Sequence, residues 1–159
     1  MQKSTLLLIM VLLSACSGWH LRGSGPEIEF NRSIYLSGKP SDTYTLIQEQ
    51  LAKQEKLAPL TRADWRLVVN EEQWQRRTAS RTGSAQVAEY ELILTINYQV
   101  QTAAGEVIPT PETVRIYRTY SVDQNDIAGK EKEAQLLQGD LRNAAARQIL
   151  QQLQFIQQP

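Results

Sequence analysis

From Glu89 to Gln101, Tyr90, Leu92, Leu94, Ile96, Tyr98 and Val100 alternate with Glu91, Ile93, Thr95, Asn97 and Gln99. A period of two held over that length dictates a β-strand with one face in an apolar core and the other against something polar. Such a strand cannot bury its apolar face alone, so the remaining segments must supply further strands and a second layer. Downstream, Ala104-Gly105-Glu106 is a turn, Pro109 and Pro111 delay the return, and Val114, Ile116, Tyr120 and Val122 mark an antiparallel partner over Glu112 to Val122. Upstream, Trp65, Leu67 and Val69 alternate, with a polar continuation to Arg77 as the same strand running past the core. A short strand around Phe30, Ile34 and Leu36, within Glu29 to Leu36, ends at the break Ser37-Gly38-Lys39-Pro40.

Two segments carry the other period. Ser41 or Asp42 can cap a helix, because a side-chain oxygen accepts from the free amides of the first turn, and Leu46, Ile47 and Leu51 then share a face before Pro59 closes the segment. From about Asp126 to Gln154, Ala134, Leu137, Leu141, Ala144, Ala145, Ile149 and Leu153 recur every three or four residues, which makes a long amphipathic helix. The order strand, helix, three strands, helix predicts an α+β two-layer sandwich. Its sheet has about four strands, mostly antiparallel, with both helices on one face, and any parallel crossover is right-handed. The other face carries Glu, Thr, Asn, Gln and Arg, so it is wet or meets a polar partner. Arg118 breaks the pattern. It shares register with Val114, Ile116 and Tyr120, and is therefore either flipped by a bulge or a buried charge with a structural partner.

The N-terminus has a different character. Lys3, the apolar run Leu6 to Leu13 and the small residues Ser14 and Ala15 read as a secretory signal over residues 1–15. The run is too short for a spanning helix, which needs roughly 20 apolar residues. Leu13-Ser14-Ala15-Cys16 resembles the bacterial lipobox, so the chain's single cysteine, Cys16, is expected to become the first mature residue and to carry diacylglycerol and an N-acyl chain. Plain secretion is the alternative. Acyl chains contribute about 0.8 kcal/mol per buried methylene, so two or three hold a protein on a membrane essentially for good. Ser17, in place of an aspartate, resembles the pattern sorted to the outer membrane. Residues 16–28 are then a lipidated lead-in and 29–156 a single globular domain without a disulfide. Seventeen basic residues balance seventeen acidic ones, which excludes the basic stripe that nucleic acid calls for.

Cys16-Ser17-Gly18-Trp19-His20-Leu21-Arg22-Gly23 is similar to the mature start of the LptE family, with one serine inserted. The likeness continues through Ala88-Glu89-Tyr90-Glu91-Leu92, Arg118-Thr119-Tyr120 and Gly129-Lys130-Glu131-Lys132-Glu133, and so spans the mature chain. The resemblance implies an outer-membrane lipoprotein that is not an enzyme. It implies a domain sitting as a plug in the lumen of LptD, the β-barrel that inserts lipopolysaccharide into the outer leaflet. It implies lipopolysaccharide as ligand, with the family's binding arginine and lysine falling by position on Arg81 and Lys130. The loop Ser80 to Gln86 is longer than usual in the family, so Arg77 can stand in for Arg81. On residues alone, these are equally well solvated surface cations.

Trp19, His20 and Arg22 suit either the membrane interface or the barrel wall. His20 is the sole histidine, with no companion ligands for a metal and no partner for a triad. A membrane-tethered periplasmic hydrolase is a weaker reading, because no nucleophile elbow or zinc motif is present. Glu71 and Glu72, as strand neighbours, point apart. A lipoprotein scaffold of another envelope complex shares the anchor and the fold, and differs only in its partner.

Overall fold

The computed structural model describes residues 31–122 and 126–156. In chain order these form β1 (Ile34–Gly38), α1 (Asp42–Lys53), a 3₁₀ turn (Leu60–Arg62), β2 (Trp65–Arg81), β3 (Val87–Thr102), β4 (Val107–Ile108), β5 (Thr113–Ser121) and α2 (Ile127–Ile156). The architecture is the expected α+β sandwich, with two helices on one face of a mixed, mostly antiparallel sheet. The sheet has five strands rather than four. The extra one is the two-residue return after the Gly105 turn, too short to leave an alternating pattern.

β1 runs parallel to β2, and α1 makes the crossover that a parallel pair requires. β2 and β3 form a long antiparallel ribbon, and β4 and β5 share the far edge of β3, opposite Val100–Gln101 and Glu89–Asn97 respectively. Gly38 ends β1 with φ +126°, where a Cβ would stand 1.8 Å from the Val69 carbonyl oxygen. Only glycine lets the chain leave the sheet so close to β2. The Ser41 hydroxyl then accepts from the Tyr44 amide at 3.1 Å and starts α1, while Asp126 accepts from the Gly129 amide at 3.0 Å and starts α2.

Between the helices and the sheet lie Ile47 and Leu51 of α1, Leu141, Ala145, Ile149, Leu150 and Leu153 of α2, and Ile34, Leu67, Val69, Leu94, Ile96, Tyr98 and Val100 of the strands, all buried. Each large apolar side chain taken out of water this way contributes about 1.5–3 kcal/mol. The Tyr98 hydroxyl donates to the Gln152 side-chain oxygen of α2, and burial pushes its phenol pKa up to about 12.

One irregularity sets the parity of everything beyond the core. Val69 pairs with Tyr98 but Glu72 pairs with Ile96, so Asn70 and Glu71 together oppose the single residue Asn97. This bulge exchanges the two faces of β2. Trp65, Leu67 and Val69 face the helices before it; Glu72, Trp74 and Arg76 face them after it.

Candidate functional site

Glu72 is the first product of that bulge. Its side chain is only 8% exposed, and burial alone would raise its carboxyl pKa. Hydrogen bonds from Arg142, Trp74 and Thr43 outweigh the burial and hold it below the ordinary carboxylate value. Arg142 Nε donates at 2.9 Å, Trp74 Nε1 at 2.7 Å, the Thr43 hydroxyl at 2.9 Å and the Thr43 amide at 3.3 Å. Arg142 also reaches Asp42 at 3.2 Å and lies 5.1 Å from the centre of the Trp74 ring. One carboxylate thereby ties both helices to β2. This is a fastening, because every oxygen is engaged by protein donors.

Past Glu72 the β2 end of the helix-side rows opens, while Leu94, Leu92 and Tyr120 in the same rows stay buried. Successive rows read Trp74–Leu94–Ile116, Arg76–Leu92–Arg118 and Thr78–Tyr90–Tyr120. The Arg76 guanidinium lies 4.9 Å from the centre of the Tyr90 ring. Tyr120 beside it, with smaller contributions from Tyr90 and Glu131, holds its pKa above the ordinary arginine value against the opposing effect of burial. Tyr90 and Tyr120 are themselves in tilted contact, with centroids 6.0 Å apart. Over this wall the first turns of α2 bring Ile127, Lys130 and Glu131, closing a cleft of about 130 Å³ with Arg76, Tyr90, Tyr120 and Val122. Lys130 Nζ meets Ser121 Oγ at 2.9 Å and Glu133 Oε2 at 2.8 Å.

The cations named from sequence fall in three places. Lys130 lines the cleft. Arg81 is exposed at the tip of the β2–β3 hairpin, where its Nη1 donates to the Ala85 carbonyl at 3.0 Å. Ser80, Glu89 and Ser121 occupy one row across β2, β3 and β5, so Arg81 lies one residue beyond the row that Lys130 touches. With strands about 4.8 Å apart, the backbones of Ser80 and Ser121 are roughly 10 Å from each other. Arg77 points to the opposite face, where it forms an ion pair with Glu91. Arg118 corrects both readings made of it. β5 pairs with β3 without interruption, and Arg118 is exposed on this edge strand although its row partner Leu92 is buried. Cys16, Trp19, His20 and Arg22 lie outside the described residues.

Arg76 was missed. Extending the odd-numbered alternation of Trp65, Leu67 and Val69 assigns the helix side to Arg77, and the bulge at Asn70–Glu71 hands that place to its neighbour. The only trace in the sequence is Trp74, an aromatic at an even position.

The uncovered face is mostly polar, with Gln73, Gln75 and Arg77 on β2, Glu89, Thr95 and Asn97 on β3, and Arg115, Thr119 and Ser121 on β5. Val68, Ile93 and the exposed Tyr117 are apolar or aromatic members of it, Ile93 being 1% exposed between Gln75 and Tyr117. Among the described residues no group of acidic, histidine or cysteine side chains is placed to hold a metal ion, and no helix is long and apolar enough to cross a membrane.

A helix-backed sheet with one polar face left open, and a cationic aromatic cleft at its far end, defines a binding or assembly domain. The LptE family model, described as lipopolysaccharide-assembly, matches residues 31–153, and the chain belongs to that family. It is similar to the LPS-assembly lipoprotein LptE of Yersinia enterocolitica, with 28% identity over 93% of this chain and 73% of that protein. The Yersinia pestis protein of the same name is 28% identical over 94% and 74%. Among solved structures, rare lipoprotein B from Shewanella oneidensis superposes with a TM-score of 0.66 at 28% identity, covering 76% of this chain and 92% of that one. A lipoprotein B from Nitrosomonas europaea shares the fold, with a TM-score of 0.73 at 18% identity over 86% and 90%. The chain is thus a lipopolysaccharide-assembly lipoprotein of the outer membrane and not an enzyme.

Proposed function

We propose that this domain is held at the periplasmic face of the outer membrane by acyl chains on Cys16, fills the lumen of the lipopolysaccharide-translocating barrel LptD, and handles lipopolysaccharide at its far end. Residues 1–15 are the removed signal and 16–28 the tethered lead-in. The observation that carries the barrel reading is the uncovered sheet face. Gln73, Gln75, Arg77, Thr95, Asn97, Arg115 and Thr119 spread donors and acceptors over three strands with the helices on the other side. Wide barrels have polar, hydrated interiors, and a body filling one has to offer hydrogen bonds on its outside. Trp19, His20 and Arg22 sit where the tether meets headgroups or the barrel wall.

The ligand reading rests on Lys130 in the cleft and Arg81 on the hairpin tip, with Arg77 turned to the other face and serving the barrel contact instead. Lipid A phosphates call for cations, and a guanidinium with an ammonium supplies a planar fork and a point charge. A mild-detergent pull-down of the full-length lipidated protein from its own envelope tests the assignment. A stoichiometric outer-membrane barrel of the lipopolysaccharide-transport type is expected. Recovery with a different envelope complex would make the domain a scaffold of that complex.

A further inference from the structure

We infer that Arg76 and Lys130 form a seat for a single phosphate monoester, with the Tyr90–Tyr120 pair as its wall. This rests on the reading of the far end as the lipopolysaccharide site and adds a residue to it that neither the family likeness nor the alternation of β2 assigns. Arg76 lies with its guanidinium 4.9 Å from the centre of the Tyr90 ring, in a cleft that Tyr120 also lines. None of the ion pairs formed among the described residues includes it. The Glu131 carboxylate in the same cleft acts on it without a direct ion pair, so the guanidinium keeps donors with which to bind a phosphate in fork geometry. Lys130 stands on the opposite lip, with its Nζ shared between Ser121 and Glu133.

The cleft's size selects the ligand's polar part. Its volume of about 130 Å³ compares with roughly 10–15 Å³ for one water by the same kind of measure. A phosphate with an edge of its sugar fits within it. The rim supplies what an amphiphile adds next to that phosphate, since Val122 lines the cleft and Ile127 is 72% exposed beside it. Glu131 also lines the cleft and opposes an anion there, so the phosphate has to be held by Arg76 and Lys130 together.

The test uses full-length lipidated protein in mild detergent at one fixed salt concentration, with purified lipopolysaccharide and its enzymatically dephosphorylated form as probes. Arg76→Gln is expected to weaken binding of the native ligand about tenfold, as loss of a charge-assisted bond does, and Arg76→Lys to restore part of it. Dephosphorylated lipopolysaccharide should bind the wild-type protein at least as weakly as the native ligand binds Arg76→Gln, because Lys130 loses its partner too, and should not distinguish the two proteins. If inorganic phosphate alone, followed by NMR shifts of the Tyr90 and Tyr120 rings, saturates the cleft at concentrations comparable to the lipid-linked form, the seat serves free phosphate. Equal affinities of wild type and Arg76→Gln, or a tenfold loss that persists on the dephosphorylated ligand, would overturn the seat. A wild-type protein that binds no lipopolysaccharide at all would instead overturn the reading on which the seat rests. Tyr120→Phe, which alters the cleft wall beside Arg76 without removing the guanidinium, gives a second measure should Arg76→Gln fold poorly: it is expected to weaken binding less than Arg76→Gln.

Discussion

Trp65–Val69 and Gln73–Arg81 are two stretches of one strand, paired throughout to the same neighbour, and they live in different surroundings. In the first, Trp65, Leu67 and Val69 are buried under the helices with Ile47, Leu51 and Leu153 in the same core. In the second, no residue is buried, and the ribbon is held by ladder hydrogen bonds, by Arg76 on Tyr90, by Arg77 on Glu91 and by Ser80 on Glu89. Backbone bonds are present in both halves, so the difference lies in what the side chains exclude from water. The near half is where the free energy of folding resides, and the far half is where polar groups stay available for something else.

The largest effect should come from breaking the near half. Leu67→Ala removes a fully buried side chain from beneath α1 and α2 and should cost about 3 kcal/mol. Thr78→Ala, on the same strand and the same face beyond the bulge, should cost under about 0.5 kcal/mol. Urea unfolding of both variants measures the contrast, and equal losses would mean that the ribbon is part of the cooperative core.

Glu72 sits at the boundary, and its removal should come next. Glu72→Gln keeps the shape but discharges a carboxylate that Arg142 and Trp74 both address, and should cost about 2 kcal/mol at neutral pH. The pH dependence has a definite sign. The folded carboxyl ionises more readily than the unfolded one, so its contribution is complete above the unfolded value and is lost as pH falls through the lower folded value. Wild-type stability should therefore fall more steeply than that of Glu72→Gln below about pH 4.3, the ordinary glutamate range. Parallel profiles for the two proteins would show that the network does not hold Glu72 ionised.

Tyr98→Phe should cost about 1 kcal/mol, since the ring's packing is kept while the Gln152 oxygen loses its donor inside the helix–sheet interface. Thermal melts at two protein concentrations would separate this loss from any change in association.

Much of this was legible because burial and alternation coincide where the core is thick. Ile34, Leu67, Leu94, Tyr98, Leu141 and Ile149 announce their faces by spacing alone. The far half was opaque for one local reason. A single extra residue at Asn70–Glu71 reverses the parity of β2, and nothing in Val69-Asn70-Glu71-Glu72 marks which residue is the extra one. Glu72 thus becomes the central acceptor of a buried network where a strand neighbour of Glu71 was expected to point idly away, and Arg76 takes the place in the cleft that spacing assigned to Arg77. Lys130 needed no such parity, because it stands four residues past the Asp126 cap of a helix whose start is marked. Arg118 shows the same limit from the other side: its register was legible, while its exposure on the edge strand was not.

The smallest expected effect probes the face that no helix covers. The Arg77 side chain is 59% exposed and its partner Glu91 only 10%. Solvent screening reduces what such a pair contributes, and water can reach the place Arg77 vacates. Arg77→Ala should therefore lower the stability of the free domain by only about 0.5 kcal/mol. The barrel reading makes the same substitution unequal in its two settings. Inside a lumen, Glu91 would be left as an anion with its partner gone and its water displaced, which costs more than removing an exposed charge. Co-purification with the barrel should then fall further for Arg77→Ala than for Thr78→Ala, although the two variants melt within a degree or two of each other. Identical recovery would mean that the open face around Arg77 stays in water in the assembled state, and that the contact is made by another part of the domain.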